Sequence, residues 1–133
     1  MKNRKNNKGF SLVELIVVVA IMAVLVGVLA PAYLKYVENS REKKDLNNIE
    51  EVRHAVEIAL ADEDVFTEVS NADEVTIAVN GTVTAETDEL QDELDATIGE
   101  FELVSKKYAT EQTVIINIDS AGSVTVECTP AES

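Results

Sequence analysis

The residues with the clearest chemical potential lie at the start of the chain, where a basic leader ends at Gly9 and an apolar stretch begins at Phe10. Glu14 is the only charged residue between Phe10 and Ala30. Cleavage between Gly9 and Phe10 would create a positively charged amine four residues before Glu14. In a bundle of such segments, this amine can pair with the Glu14 carboxylate of a neighbouring subunit, and either charge buried alone would be strongly penalised. The predicted chemistry is cleavage followed by charge pairing that sets one axial register.

The segment from Phe10 to Ala30 has the length and composition of a membrane-spanning helix. At about 1.5 Å per residue it measures roughly 31 Å, close to the roughly 30 Å hydrocarbon core of a bilayer. The leader 1–9 contains no acid and four bases, which are Lys2, Arg4, Lys5 and Lys8. The positive-inside rule therefore predicts that the leader faces the cytoplasm and that the rest of the chain lies outside.

A conventional secretory signal peptide, or a plain signal anchor, is the alternative interpretation of this segment. A secretory signal has a shorter apolar region of about 7 to 15 residues followed by a small-residue cleavage site. The stretch 29–32 is a poor site because Pro31 interrupts it. Glu14 is unusual in either case, since a carboxylate at the bilayer centre costs about 2.5 to 3.5 kcal/mol. Its place near the helix start lowers that cost, and a role in assembly would explain why it is there.

The residues from Gly9 to Leu15, Gly-Phe-Ser-Leu-Val-Glu-Leu after a short basic leader, resemble the class III signal of type IV pilins and type II secretion pseudopilins. The resemblance covers residues 2 to about 36. It implies that a membrane-embedded prepilin peptidase cleaves after Gly9 and that Phe10 becomes the N-methylated first residue. It also implies that Glu14 recruits and registers incoming subunits. The peptidase and methyltransferase chemistry would belong to partner enzymes.

Gly27 and Pro31 mark the predicted weak point of the helix. Pro31 lacks the N–H that would bond to the Gly27 carbonyl, and its ring crowds that turn. Pro31 also lies where the resembled family commonly has a proline. One interpretation is a harmless kink, as in many membrane helices. The other, similar to the family, is a segment that loosens when subunits leave the bilayer and pack in a filament.

Beyond Pro31 the apolar residues become periodic, with steps of three and four that indicate one apolar helical face. They are Leu34, Val37, Leu46, Ile49, Val52, Val56 and Leu60. The absence of Gly and Pro from Ala32 to Val79 allows one helix from Phe10 to about Ala61. The acids from Asp62 to Asp64 oppose the negative end of a helix dipole, so the helix is predicted to end there. Tyr33 and Tyr36 are predicted to anchor the membrane interface, with a filament contact as the alternative.

Two β-hairpins are predicted, near residues 75–85 and 114–128. A three-residue loop with Gly81 in the left-handed conformation sets Ile77 opposite Val83 and Val75 opposite Ala85. In the second hairpin, Gly122 has the same role. Its predicted pairs are Ile118 with Val124, Ile116 with Val126, and Val114 with Cys128, which points inward as a small apolar residue.

Between the hairpins, Leu90, Leu94 and Ile98 follow a four-residue spacing that predicts a short helix. Asp88 and Gln91 form a possible capping pair, and Gly99 is a possible stop. Phe101 and Leu103 alternate with Glu102 and suggest a further strand before a turn at Lys106–Lys107.

The predicted fold class is therefore α+β: a long N-terminal α-helix whose C-terminal half packs on a small antiparallel β-sheet, as in pilins, with one short additional helix. Residues 1–9 form the cleaved leader, and residues 10–31 form the hydrophobic helix of the membrane and the filament core. Residues 32–62 are its amphipathic continuation. The acidic globular region 63–133 is expected to pack with 32–62 as one ectodomain.

The charge of the chain argues against nucleic-acid binding. The net charge is −14 at pH 7, and removal of the leader with its four bases leaves −18. No Lys or Arg occurs between His54 and Ser105. Such a surface repels nucleic acid and anionic membranes. In the general interpretation, the acids keep exposed domains soluble and apart from one another. In the alternative interpretation, they recognise a specific basic partner.

Neither catalysis nor a resident metal is predicted. The acid clusters 62–64 and 88–89 lack the spacing of a calcium loop. His54 has no nucleophile beside it in sequence and is expected on the helix surface. Cys128 is the only cysteine, so no intrachain disulfide can form. Many pilins of bacteria with an outer membrane close their C-terminal region with a disulfide, and its absence favours a single-membrane organism. No cofactor is expected.

The resemblance implies a structural subunit of a type IV pilus, a fimbrial filament, with adhesion and motility among the roles that the sequence does not separate. Its partners would be copies of itself in a helical filament, the prepilin peptidase and N-methyltransferase, and the assembly machinery of the inner or sole membrane. The chain would be a single-pass protein of the cytoplasmic membrane before assembly and an extracellular filament afterwards. The alternatives are a pseudopilin of a type II secretion or competence system, or a monomeric membrane-anchored binding module.

Overall fold

The computed structural model describes residues 9–69, 73–110 and 112–130. The predictions on the basic residues of the leader lie outside these residues. The chain divides into two compact units, residues 1–37 and 38–133. The first helix, α1 (Leu12–Ala59), supplies most of the described part of the first unit and the first element of the second. Its observed bounds lie within two residues of the predicted ones.

The second unit continues with three short helices and four strands. The helices are α2 (Glu63–Val69), α3 (Asp88–Thr97) and α4 (Lys106–Ala109). The strands are β1 (Glu74–Ile77), β2 (Val83–Ala85), β3 (Gln112–Ile118) and β4 (Val124–Pro130). The strands form one antiparallel sheet in the order β2-β1-β3-β4. The predicted α+β fold with a long helix and a small antiparallel sheet is confirmed, and α2 and α4 are added to the single short helix that was expected.

Both predicted hairpin registers are confirmed. Ile77 lies opposite Val83 and Val75 opposite Ala85 in the first hairpin. In the second, Ile118 pairs with Val124, Ile116 with Val126 and Val114 with Cys128. Both turn glycines are left-handed, with φ of 82° at Gly81 and 80° at Gly122. Side-chain parity and the length of each glycine loop together are sufficient for these pairings, because parity excludes a shift by one residue and the loop excludes a shift by two.

The core of the second unit is aliphatic, as the composition suggests. It combines the buried side of α1 with one face of β1 and β3 and with α3. Its fully buried residues include Ile49, Val52, Val56, Val75, Leu90, Leu94, Val114 and Ile116. These residues come from distant parts of the sequence, so the sheet and the C-terminal half of α1 stabilise each other by removing apolar surface from water.

Three predictions between the hairpins are wrong. Asp88 does not cap α3: Thr87 holds the N-cap position, and the Gln91 side chain instead bonds to the backbone of β2. Ile98, in extended conformation, ends the helix rather than Gly99. Residues 98–104 contain no strand, although the Leu103 N–H bonds to the Val79 carbonyl.

The acids 62–64 have a second role that the sequence-based interpretation lacks. The helix α1 does end before them, at Ala59, as predicted. However, the same acids stand at the start of α2, where negative charge meets the positive end of a helix dipole. Asp62 Oδ1 accepts the N–H of Asp64 at 3.0 Å, and the Phe66 N–H bonds to the Asp62 carbonyl at 2.9 Å. The acids 62–64 therefore lie between two helices.

The predicted turn at Lys106–Lys107 is a short helix, α4, with Ser105 as its N-cap.

Asp45 is a fully buried carboxylate on α1 that binds the segment before α4. Its Oδ2 accepts the N–H of Ser105 at 2.8 Å, and both oxygens accept the N–H of Val104 at 3.0 and 3.1 Å. Two turns earlier on the same helix, Glu38 accepts the N–H of Lys106 at 2.6 Å. The two carboxylates therefore fix three successive backbone amides, and with them the start of α4.

Asp73, just before β1, is a second buried carboxyl but has an unpaired oxygen, Oδ2. Burial raises the pKa of Asp73 above its ordinary value, and the neighbouring Glu86 carboxylate raises it further. The folded chain therefore binds this proton more tightly than the unfolded chain does. This group favours folding at low pH, and its contribution is lost as the pH rises through the raised pKa.

We expect Asp45→Ala to lower the free energy of unfolding by about 2 to 4 kcal/mol, because two amides lose a charged acceptor and one of them is buried. Glu38→Ala is the matched control and should cost less than about 1 kcal/mol, since water can solvate the exposed amide of Lys106. Chemical unfolding of the detergent-solubilised chain, followed by circular dichroism, measures both. Equal losses in the two variants would contradict the structural importance of Asp45.

The two turn glycines form a second matched pair. A Cβ at Gly81 would lie 1.7 Å from the Phe101 carbonyl oxygen, a backbone atom, whereas at Gly122 it would meet the Phe66 ring at 2.7 Å. Both substitutions place Ala in the left-handed region, but only the ring can move aside. We expect Gly81→Ala to cost about 3 kcal/mol or more and Gly122→Ala about 1 to 2 kcal/mol. The same unfolding experiment measures the difference, and a larger loss at Gly122 would contradict it.

Candidate processing and assembly site

The N-terminal end of α1 is closed by a reciprocal pair of hydrogen bonds between Ser11 and Glu14. Ser11 Oγ accepts the N–H of Glu14 at 3.2 Å, and Glu14 Oε2 accepts the N–H of Ser11 at 3.3 Å. The first helical backbone bond runs from the Leu15 N–H to the Ser11 carbonyl at 3.2 Å. This is a capping box, in which two otherwise unpaired N–H groups are satisfied by side chains. Ser-x-x-Glu before an apolar run was its signal in the sequence, but this pair is not among the predictions.

The capping box fixes where the Glu14 carboxylate points. It is turned back towards the start of its own helix, where the positive end of the dipole favours a negative charge. A carboxylate has about four acceptor positions, so the bond from Ser11 leaves room for further donors. The geometry therefore presents a helix-end carboxylate that can still accept a hydrogen bond from an amine.

Gly9 and Phe10, the predicted cleavage residues, precede the helix. Neither is in regular structure, and the Phe10 side chain is 81% exposed. No atom outside its chain neighbours would lie within 4 Å of a Cβ at Gly9. The bond between them is therefore open to an enzyme, as exposed irregular segments generally are.

The first part of α1 has no cover within its own unit. Every residue from Phe10 to Tyr36 is exposed, and most of them are large and apolar. An 18-residue stretch of this helix has a mean hydropathy of 3.1 and no buried residue. The helix is long and apolar enough to cross a membrane. An apolar surface of this extent marks contact with lipid or with another protein.

Gly27 and Pro31 both lie inside α1, which continues through them as an α-helix. A Cβ at Gly27 would meet nothing within 4 Å. The missing N–H at Pro31 still removes one bond from the ladder. Loosening of this segment stays a prediction.

Other candidate groups do not form a reactive site in the described ranges. No group of three or more His, Cys, Asp or Glu side chains there is arranged to hold a metal ion. His54 is on the helix surface, with Nδ1 3.6 Å from a Glu57 carboxylate oxygen. Cys128 lies opposite Val114, as predicted, so the two side chains share one face of the sheet, but Cys128 is exposed and its predicted burial as a small apolar residue is wrong. It belongs to the edge strand β4.

A cleft of about 870 Å³ in the second unit lies between the β1–β2 turn, α3 and the loop that follows it. Its charged lining residues are all acidic: Asp95, Glu100 and Glu102. Gln91 spans part of it, since it accepts the Ala85 N–H at 2.7 Å and donates to the Val83 carbonyl at 3.1 Å. This side chain satisfies the outer edge of β2, so that edge is closed to a further strand.

Comparison with known proteins gives matches at the N-terminal site. Residues 4–30 match the family model of the prokaryotic N-terminal methylation motif. The chain is 35% identical over 71 residues to a prepilin peptidase-dependent protein A of Clostridium perfringens, which is 53% of this chain and 51% of that protein. It is 36% identical over 55 residues to a type IV major fimbrial protein, FimA, of Dichelobacter nodosus, which is 41% of this chain and 35% of that protein. No solved structure matches.

Residues 4–30 thus match a prepilin-type N-terminal methylation motif. The predicted resemblance to type IV pilins is confirmed, and the long helix with its small antiparallel sheet is consistent with the pilin α+β fold. The chain spans about half the length of the first relative and about a third of the second.

We expect Ser11→Ala to open the capping box and to speed hydrogen exchange at the Glu14 amide, because its acceptor is lost. A cap of this kind is worth about 1 kcal/mol, which corresponds to roughly fivefold faster exchange. Ser11→Thr is the control and should retain protection, since threonine also caps. Amide exchange of the full chain in detergent micelles measures this. Equal protection in Ser11→Ala and the native chain would contradict the cap.

Proposed function

We propose that this chain is a structural subunit of an extracellular type IV pilus filament, processed between Gly9 and Phe10. The observation that carries the proposal is the uncovered apolar helix that begins with a capped acid inside the methylation motif. The motif accounts for cleavage between Gly9 and Phe10. The exposed apolar part of α1 requires a partner surface that removes it from water. A bundle of identical helices meets that need without any other protein.

Before assembly, the apolar part of α1 lies in the cytoplasmic membrane, with the leader inside and the ectodomain outside. The asymmetry of basic residues around the apolar stretch supports this topology. A prepilin peptidase removes residues 1–9, and Phe10 is N-methylated by a partner methyltransferase. The assembly machinery of that membrane then extracts the subunit into the filament.

Glu14 is the assembly residue in this proposal. Its carboxylate, held at the helix start by Ser11, pairs with the Phe10 amine of a neighbouring subunit. In an apolar filament core, a wrong axial position would leave both charges unpaired, so one register is favoured. Gly27 and Pro31 mark the place where the helix loosens on leaving the bilayer.

The ectodomain, residues 32–62 with 63–133, forms the outer surface of the filament. Its acidity disfavours direct contact with nucleic acid and keeps filaments soluble. We propose no enzymatic activity for the chain. The similar proteins are named as a fimbrial protein and a prepilin peptidase-dependent protein, which supports this.

The first test is the mature N-terminus. Mass spectrometry of surface fractions should find N-methylated Phe10 as the first residue. In cells that carry Glu14→Ala, the chain should still be membrane-inserted and processed, but filaments seen by electron microscopy should fall at least about tenfold, because the register charge is gone. Glu93→Ala, an exposed acid on α3, is the control and should leave filament numbers unchanged.

An unprocessed leader on the surface protein, or normal filaments from Glu14→Ala, would overturn this proposal. Correct processing without any surface filaments in the native strain would favour a pseudopilin instead.

A further inference from the structure

The second half of α1 carries two adjacent cations followed by two adjacent acids. Lys43 and Lys44 are exposed, and neither makes an ion pair within the described part of the chain. Glu51 is exposed and has no ion pair in the same residues. Glu50 already forms an ion pair with Arg53, whose Nε lies 2.9 Å from the Glu50 carboxylate. The helix therefore presents unmatched charge of both signs.

The two lysines cannot pair with an acid within one copy of the helix. Side chains meet along a helix at spacings of three and four residues, and the residues at these spacings after Lys43 and Lys44 are all uncharged. They are Leu46, Asn47 and Asn48. Lys43 and Glu50, like Lys44 and Glu51, are seven residues apart, which is two turns or about 10.5 Å. That distance exceeds the reach of a salt bridge on a single helix.

Lys43 and Lys44 add positive charge to a chain that is otherwise strongly acidic. The processed chain has a net charge of −18, so copies that approach one another repel. The region between His54 and Ser105 offers no cation to offset this repulsion. Cations that are exposed and unpaired on a helix are therefore suited to contact an acid on a neighbouring subunit.

The axial offset between two parallel copies decides which charges meet. With no offset, Lys43 opposes Lys43 and Glu50 opposes Glu50, which is repulsive. An offset of three or four residues places the lysines opposite uncharged side chains. At seven residues, Lys43 meets Glu50 and Lys44 meets Glu51. At fourteen, Lys43 meets Glu57, but Lys44 meets the apolar Ile58.

We propose that this side of α1 binds a second copy of the chain, parallel and displaced by two helical turns, through pairs of Lys43 with Glu50 and Lys44 with Glu51. Successive residues on a helix are about 100° apart, so the two pairs flank a common line of contact, as charges do beside a helix seam. This inference rests on the proposed filament, and it adds a second, polar register outside the apolar segment.

On this side of α1, the same offset creates one like-charge contact, and Arg53 lies beside it. Glu50 of one copy comes opposite Glu57 of the other. Arg53 already bridges these two acids within each copy, with Nε 2.9 Å from Glu50 and Nη1 2.5 Å from Glu57. The guanidinium therefore offsets the repulsion at the position where it would arise.

Charge exchange tests the pairing in cells. We expect Lys44→Glu to lower filament number by about tenfold or more, and Lys44→Glu with Glu51→Lys in the same chain to restore at least half of it. Lys107→Glu, an exposed residue on α4, introduces the same charge change of −2 away from this surface and is the control for Lys44→Glu, and Glu93→Lys, on α3, is the control for the +2 change of Glu51→Lys. Unfolding of the detergent-solubilised variants should be unchanged, since both sites are exposed.

Cysteine crosslinking tests the offset directly. In a Cys128→Ser background, Lys44→Cys with Glu51→Cys should give a ladder of disulfide-linked subunits in intact filaments under mild oxidant. Lys44→Cys with Ile58→Cys, an offset of fourteen on an equally exposed line, should give at most a tenth of that yield. Lys44→Cys alone can crosslink only if residue 44 of one copy lies opposite residue 44 of another, so this variant measures crosslinking at zero offset.

The outcomes separate this inference from the proposed function. Native filaments that persist unchanged in Lys44→Glu, or a ladder stronger at offset zero or fourteen than at seven, would overturn the inference while the pilus subunit stands. Absence of filaments from the native strain would overturn both. Loss in Lys44→Glu, recovery in the double exchange and a ladder at offset seven would establish it.

Discussion

The Asp45 carboxylate is the interaction on which the arrangement of the second unit depends. It is fully buried, yet among residues 9–69, 73–110 and 112–130 it has no cationic partner and instead accepts backbone N–H groups of Val104 and Ser105. Such a group is tolerated only when its acceptor positions are filled, so the loop before α4 must lie against α1 in one way. That placement brings Leu103 and Tyr108 into the core on either side of the buried Ser105. Shortly after α4 the chain enters β3, one of the two central strands, to which both β1 and β4 pair.

Contacts at the two glycine-containing hairpin turns complete this arrangement. The β1–β2 turn lies against the backbone of Phe101, and the Val79 carbonyl binds the Leu103 N–H at 3.0 Å. The β3–β4 turn lies under the ring of Phe66 on α2. The loop 98–105 is thus fixed at one end by Asp45 and near its middle by a hairpin tip, although it contains no strand. A chain without an intrachain disulfide obtains its constraint here from buried backbone hydrogen bonds.

The sequence was sufficient for features that depend on periodicity and parity. The long helix, both hairpins with their residue pairs, and the left-handed glycines follow from local spacing and from the rule that neighbouring side chains in a strand face opposite ways. The sequence was insufficient where a polar side chain has more than one candidate partner for a hydrogen bond or a helix dipole. Gln91 satisfies the edge of β2 instead of capping α3, and the acids 62–64 begin a helix as well as ending one. Local pattern does not distinguish such choices, because tertiary neighbours decide them. At the N-terminal site, Gly9, Phe10 and Glu14 came from the motif, while the bonds between Ser11 and Glu14 required geometry.

The capping box also changes how the acid in the apolar segment is understood. An uncompensated carboxylate would be a liability in a membrane, but Glu14 accepts a bond from Ser11 and lies at the positive end of the helix dipole. In the proposed processing between Gly9 and Phe10, both groups of the capping box remain, since Ser11 follows the cleaved bond. The proposed cleavage would add a cation without removing the hydrogen bond that supports the Glu14 carboxylate. In this proposal, the new amine at Phe10 distinguishes a subunit that assembles from one that stays in the bilayer, because the carboxylate is already in place before the leader is removed.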